Sequence, residues 1–305
     1  MPDSESYGVV LPDVLSPSDD PAGPAIDDFN ETEIGLLEAL RDYIRPVRPA
    51  CPEPSEPFIQ DYGHFRTLQF DRLHLQSEMD LRDPVRLTID YTRVMMGFLF
   101  FVPRPRRIEM IGLGGGSLAK YCHHALPDAD ITVVEINSEV IALRDRFLIP
   151  SDGDRFRVIQ GDGADFVQRD RAPPDVILVD GFDAYGQPPQ LCSAAFYQAC
   201  HRRLAPGGMM VVNIWGSYKD RLCFAARIHH AFEGRTMEVP TESGINRAVF
   251  AGKAIKPALS RADLAQVIST AEDHHEPFLG SVGRRIVRCV EKARAPGGRH
   301  SPCPA

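Results

Sequence analysis

The chain has 305 residues, 43% of them apolar, and a formal net charge of -8. That length accommodates one large α/β domain with a small appendage and a real core, while the acidic balance argues against nucleic acid as a partner and suits a small amine or polycation better. Seven cysteines (Cys51, Cys122, Cys192, Cys200, Cys223, Cys289 and Cys303) include no Cys-x-x-Cys pair, so neither a disulfide framework nor a zinc knuckle is expected and a reducing cytoplasm fits best.

Residues 1–29, rich in Pro, Ser and Asp, read as a disordered acidic tail. Asn30-Glu-Thr-Glu33 resembles a capping box, and Ile34, Leu37, Leu40 and Ile44 recur at helical spacing before a Pro-rich linker, so residues 30–57 form an amphipathic helix and a linker. From Phe58 to Gln76 the pattern alternates, with His64–Phe70 and Leu73–Gln76 as arms of a short hairpin. This predicts a small β subdomain over residues 58–90. Asp90 is placed to cap a helix through Tyr91, Val94, Met95, Phe98 and Leu99. The longest apolar run, Val94–Val102, is too short to cross a bilayer, and no signal-like segment opens the sequence.

Residues 91–275 then alternate strand and helix, with strands expected at Ile108–Gly112, Ile131–Ile136, Phe156–Gln160, Asp175–Asp180, Met209–Ile214, Thr236–Val239 and Arg247–Phe250. Apolar strands separated by helices indicate a mostly parallel seven-stranded α/β sheet, Rossmann-like, with helices on both faces. Its antiparallel ending resembles the class I methyltransferase fold more than dehydrogenase sheets. A helix is expected near Ser260–Thr270, and residues 276–305, with Arg284, Arg285, Arg288, Lys292 and Arg294, read as a basic tail holding a solvated helix.

The chemistry is expected around Gly112-Leu-Gly114-Gly115-Gly116-Ser117. Glycines there permit a sharp turn and close approach of a ligand, and Ser117 can cap the next helix. The run departs from the spaced Gly-x-Gly-x-x-Gly of dinucleotide enzymes. Glu135, ending the next strand, is spaced to meet a ribose diol, and Asp162 in Gly161-Asp-Gly163 can accept from an adenine amino group. Alternatively, Glu135 is a surface residue and Asp162 a turn former. Asp180 and Asp183 end the fourth strand, where one carboxylate can take a proton from an attacking amine and a second can anchor a cationic group; alternatively, Asp183 only stabilises the turn to Gly186. Trp215 either walls an acceptor pocket or packs the sheet edge. The adjacent pairs His123-His124, His229-His230 and His274-His275 point to different helix faces, so no metal is expected. Cys192 and Cys200 read as core residues rather than nucleophiles.

Taken in order, Gln76, Tyr91, the glycine loop, Glu135, Gly161-Asp-Gly163, Asp180-Gly-Phe-Asp183, Gly186 and Phe196-Tyr197 resemble the polyamine aminopropyltransferases, the spermidine and spermine synthases. The likeness runs from about His64 to Phe250. It implies a cytoplasmic homodimer that takes decarboxylated S-adenosylmethionine as co-substrate, uses no prosthetic group, and acts on an amine or polyamine. It further implies that Gln76 and Glu135 hold the donor's adenosine region and Asp162 meets adenine. Tyr91 and Asp180 assist amine deprotonation, and Asp183 helps place the amine. Gly112, Gly114, Gly115 and Gly163 belong to the expected donor site.

Two positions depart from the family pattern. Gly115 stands where an aspartate usually holds the donor's free amine, and Arg93 stands where a glutamate is usual. Both make the site less acidic and leave open whether the donor is intact S-adenosylmethionine, whose carboxylate Arg93 would then meet. Three alternatives follow: methyl transfer from S-adenosylmethionine, a non-catalytic adenosine-binding module, and, last, a nicotinamide dehydrogenase.

Overall fold

The computed structural model describes residues 56–70, 75–183, 186–253 and 278–294, with the single positions 265 and 269. The expected acidic tail, the helix at 30–44, most of the linker, most of the helix at 260–270, and His274-His275 lie outside the described residues.

The N-terminal subdomain is a three-stranded antiparallel sheet, β1 (Phe58–Tyr62), β2 (Phe65–Gln69) and β3 (Leu75–Asp80), in the order β1-β2-β3. One hairpin was expected and two form. The first turns at Gly63, whose φ of +58° a side chain would strain, and β3 runs on to Asp80. Leu68 and Met79 from this sheet enter the main core.

The main sheet has seven strands in the order β6-β5-β4-β7-β8-β10-β9. These are β4 (Arg107–Ile111), β5 (Asp130–Glu135), β6 (Phe156–Gln160), β7 (Val176–Val179), β8 (Met209–Ile214), β9 (Thr236–Pro240) and β10 (Arg247–Gly252). All pairs from β6 to β8 are parallel, and β10 pairs antiparallel with both β8 and β9. Period-2 alternation sends Ile108, Met110, Val176, Leu178 and Val211 into one apolar layer and Ile111, Ile177, Val179, Met210 and Val212 into the other. The chain leaves β4 toward β5 and β6, then returns across β4 to β7 and β8. The order therefore reverses between β4 and β7, which opens a crevice at the carboxyl ends of those two strands.

Helices α1 (Asp90–Met95), α2 (Ser117–Ala125), α3 (Ser138–Ala142), α4 (Gly163–Phe166), α5 (Ala194–Arg203), α6 (Tyr218–Ala231) and α7 (Phe278–Arg294) cover the sheet. A 3₁₀ turn, Met96–Phe100, continues α1. Two expected caps take other work. The α2 N-cap is Gly116, while the Ser117 hydroxyl lies 3.4 Å from that of Ser77. Asp90 is the first residue of α1 rather than its cap, and its carboxylate is drawn to Arg285. The basic tail is also not a solvated helix: α7 buries Leu279, Val282 and Ile286 in the core, leaving Arg284 and Arg288 exposed. Gly97 lets α7 approach the 3₁₀ turn, since a Cβ there would meet Val282, Phe250 and Ile286 at 3.1–3.2 Å. In the middle of the sheet Glu109 is 2% exposed and forms a two-pronged ion pair with Arg203 at 2.6 and 2.9 Å.

Candidate active site

The crevice between β4 and β7 is lined by Gln76, Tyr91, Gly112, Gly114, Glu135, Asp162, Gly163 and Asp180, together with Ser77, Ser117 and Gln190. Gly112 is the point where the two strand ends meet. Its amide donates to Val134 O at 2.8 Å, and the Asp180 amide donates to Ile111 O at 2.8 Å. Its φ is +97°, and a Cβ would lie 2.3 Å from the Asp180 carbonyl oxygen. Only glycine lets the loop lie this close to the β7 end.

Glu135 ties the loop down. One carboxylate oxygen accepts from the Leu113 amide at 2.8 Å and the other from the Asn137 amide at 2.9 Å. Each oxygen keeps a second lone pair for a ligand hydroxyl. Asp162 caps α4 through one oxygen, which accepts from the Ala164 amide at 2.6 Å, so the turn-forming role is real. Its other oxygen lies 3.4 Å from the Gln190 amide nitrogen and borders the crevice.

Asp180 receives two hydrogen bonds, from the Tyr91 hydroxyl at 3.1 Å on one oxygen and from Asn213 Nδ2 at 2.9 Å on the other. Burial pushes its carboxyl above the ordinary carboxylate value, and the Asn213 and Tyr91 bonds pull it back. Burial, then the Asp180 charge and hydrogen bond, hold the Tyr91 hydroxyl well above its usual value. The pair is thus a carboxylate able to accept a proton with a hydroxyl that stays protonated beside it.

Several expected residues stand elsewhere. Gly115 is not among the lining residues: its Cβ position points at Ser77 Oγ (2.6 Å) and the Phe147 ring (2.9 Å). Ser77, 5% exposed, fills the space a side chain at 115 would claim. Arg93 does not face the crevice either, since its guanidinium donates to the Leu87 and Thr88 carbonyls at 3.0 Å and pairs with Asp90. Asp183 is not among the lining residues, and its backbone closes a turn with Gly186. Trp215 packs over Gly186 and does not line the crevice. Cys200 is fully buried, and burial pushes its thiol up.

Sequence reasoning missed Asn213, Ser77, Gln190 and Lys120. Asn213 carried the one usable signal, a lone amide in the otherwise apolar strand Met209–Ile214. Lys120 on α2 is 4% exposed, and its ammonium donates to Phe147 O at 2.9 Å; burial lowers it to about 8.

The sheet defines an α/β protein with the class I methyltransferase-like fold. A crystal structure of a probable spermidine synthase from Corynebacterium glutamicum superposes with a TM-score of 0.61 at 19% identity, covering 82% of this chain and 94% of that one. Human methyltransferase-like protein 13 in complex with SAH superposes at 0.55 and 22% identity, covering 63% and 92%. The sequence carries the assignment further. The spermine/spermidine synthase domain matches residues 89–217. The chain is 41% identical over 213 residues to the polyamine aminopropyltransferase of Chromobacterium violaceum, covering 70% of this chain and 82% of the relative. It is 40% identical over 210 residues to that of Neisseria meningitidis serogroup A, covering 68% and 79%. The chain belongs to the spermine/spermidine synthase family and is a transferase.

Proposed function

We propose that the chain moves an aminopropyl group from decarboxylated S-adenosylmethionine to an amine or polyamine acceptor, with Asp180 as the base. The observation that carries this reading is the Tyr91–Asp180 pair, backed by Asn213, which faces the same crevice as the glycine loop and Glu135. Asp180 takes a proton from the acceptor's ammonium, directly or through water, and the freed nitrogen lone pair attacks the methylene bonded to the sulfonium. The carbon–sulfur bond breaks with its electron pair going to sulfur, and methylthioadenosine leaves. Sulfonium is a good leaving group, so the protein supplies orientation and the base.

The donor's form is supported by charge. Among the described residues lining the crevice, Glu135, Asp162 and Asp180 are acidic and none is Lys, Arg or His. Such a surface suits a donor that carries only cations and repels one with a carboxylate. Methyl transfer from intact S-adenosylmethionine loses its expected support, because Arg93 is engaged elsewhere. Gln76, Glu135 and Asp162 are the residues we assign to the donor's nucleoside, and a cytoplasmic homodimer belongs to the same proposal.

Incubation with each donor and a panel of amines tests it. The expected product is methylthioadenosine, with Asp180→Asn lowering turnover by about 10²- to 10⁴-fold while the donor still binds. S-adenosylhomocysteine as the product, or full activity in Asp180→Asn, would refute it.

A further inference from the structure

Asp180 and Tyr91 lie on a closed ring of hydrogen bonds that reaches two segments far from the crevice. On one side Asn213 Nδ2 faces Asp180, and Asn213 Oδ1 accepts from Asn246 Nδ2 at 3.0 Å. Asn246 precedes β10, and its backbone is fastened to Thr241: its carbonyl accepts from the Thr241 amide (3.0 Å) and hydroxyl (2.9 Å). The next residue, Glu242, donates its amide to Asp90 Oδ2 at 2.8 Å. Arg285 of α7 grips Asp90 with both guanidinium nitrogens, at 2.8 and 2.9 Å, and reaches Glu242 at 2.6 Å. Asp90 is the residue before Tyr91, whose hydroxyl closes the ring on Asp180.

We propose that Asn246 and Arg285 are positioning residues for the transfer. Asn246 holds the Asn213 amide from its oxygen end with the nitrogen toward Asp180, and Arg285 fixes the start of α1 so that the Tyr91 hydroxyl meets the other oxygen.

An amide has a donor end and an acceptor end of nearly the same shape. Asn213 is buried in β8, and either rotation fits there sterically. The Asp180 carboxylate, an acceptor, takes the Asn213 nitrogen, and Asn246 Nδ2 holds the Asn213 oxygen from the far side, so both partners favour the same rotation. If the amide rotated, its oxygen would face the carboxylate, costing a hydrogen bond and adding repulsion. The N-terminus of α1 has no side-chain cap, and the Asp90 carboxylate, paired on both oxygens, anchors that turn instead. Among the described residues the side chains that donate to Asp180 are Tyr91 and Asn213, and their bonds oppose the upward push of burial on its carboxyl.

This inference rests on Asp180 acting as the base, and the experiment separates the two. Turnover against pH is measured on the full chain for the wild type, Asp180→Asn, Asn246→Ala, Asn246→Asp, Arg285→Lys, Arg285→Met and the charge-balanced Asp90→Asn/Arg285→Met, with a melting curve for each. The acceptor is a cation across the acidic limb of kcat/KM, so that limb reports the free enzyme's base. Asn246→Asp presents only acceptors, so two carboxylates compete for the Asn213 nitrogen and its bond to Asp180 weakens. The limb is expected to move up by about one pH unit and kcat to fall at least about tenfold, with donor KM unchanged. Asn246→Ala frees the amide without adding charge, and the limb moves in the same direction by less. Arg285→Met lowers kcat, Arg285→Lys recovers most of it, and the charge-balanced pair shows the same loss if the single variant fails to fold. A limb that moves in Asn246→Asp but not in Asn246→Ala is the field of the new carboxylate and overturns the amide argument. Lower melting temperatures with wild-type kcat and pH profile overturn positioning altogether. Undiminished turnover in Asp180→Asn sinks the assignment of the base, whatever the other variants do.

Discussion

Replacing Gly112 by alanine asks whether the contact between the glycine loop and the β7 end matters to chemistry. The new Cβ would sit 2.3 Å from the Asp180 carbonyl oxygen, 2.7 Å from its carbon and 3.0 Å from Gly181 Cα, all backbone, where ordinary contact begins at 3.4 Å. Asp180 must therefore retreat by about 1 Å, a misplacement able to cost about 10²-fold in rate. The side chain also faces a φ of +97°, which adds about 1–3 kcal/mol of backbone strain. The expected result is a fall in kcat of about two orders of magnitude, with a lower melting temperature. Donor binding, followed by calorimetry, should weaken less than turnover because Glu135 still holds the Leu113 amide. A variant with wild-type kcat would show that Asp180 does not need its present position, and the reasoning about the crevice would fail.

Gly115→Asp, the change that restores the usual family residue, is expected to destabilise the fold by about 1–3 kcal/mol through overpacking against Ser77 and Phe147; Ser77→Gly added to it should restore most of the loss in urea denaturation, and an equal loss in both variants would refute the steric account. Lys120 has a depressed value, about 8 in the folded chain against 10.5. The unfolded chain therefore binds more protons in that window, and stability contributed by this group rises with pH from about 8 to 10.5. Lys120→Met should remove that rise, worth at most roughly 3 kcal/mol, and parallel melting curves against pH for the two proteins would contradict it. Arg203→Met strands Glu109 in the sheet and is expected to cost about 3–5 kcal/mol, with Glu109→Leu/Arg203→Met recovering part of it in the same titration.

What the sequence revealed and what it hid divide along contact range. The glycine loop, Glu135, Asp162 and Asp180 were legible because strand periodicity places each at a strand end, and strand ends on one side of such a sheet share a crevice. Gly115 and Arg93 were read as changes in the charge of the site, yet both are governed by neighbours outside their own segment: Ser77 from β3, and the carbonyls of Leu87 and Thr88. Asp90 and Ser117 have good capping chemistry, but Asp90 has a stronger partner 195 residues away and Ser117 borders a hydroxyl from another sheet. The α7 stripe of Leu279, Val282 and Ile286 has helical spacing and was present in the sequence. The surrounding arginines masked it, and only the fold shows that one of them, Arg285, is turned inward.

The pairing of Asp90 with Arg285 also orders events in time. A chain made from its N-terminus produces Asp90 first and must add 195 residues before its partner exists, about 10–40 s at ordinary rates of synthesis. During that interval every strand of the sheet is completed, while the first turn of α1 lacks its clamp. In order of synthesis the residues that line the crevice therefore come before the helix whose Arg285 clamps Asp90, the neighbour of Tyr91.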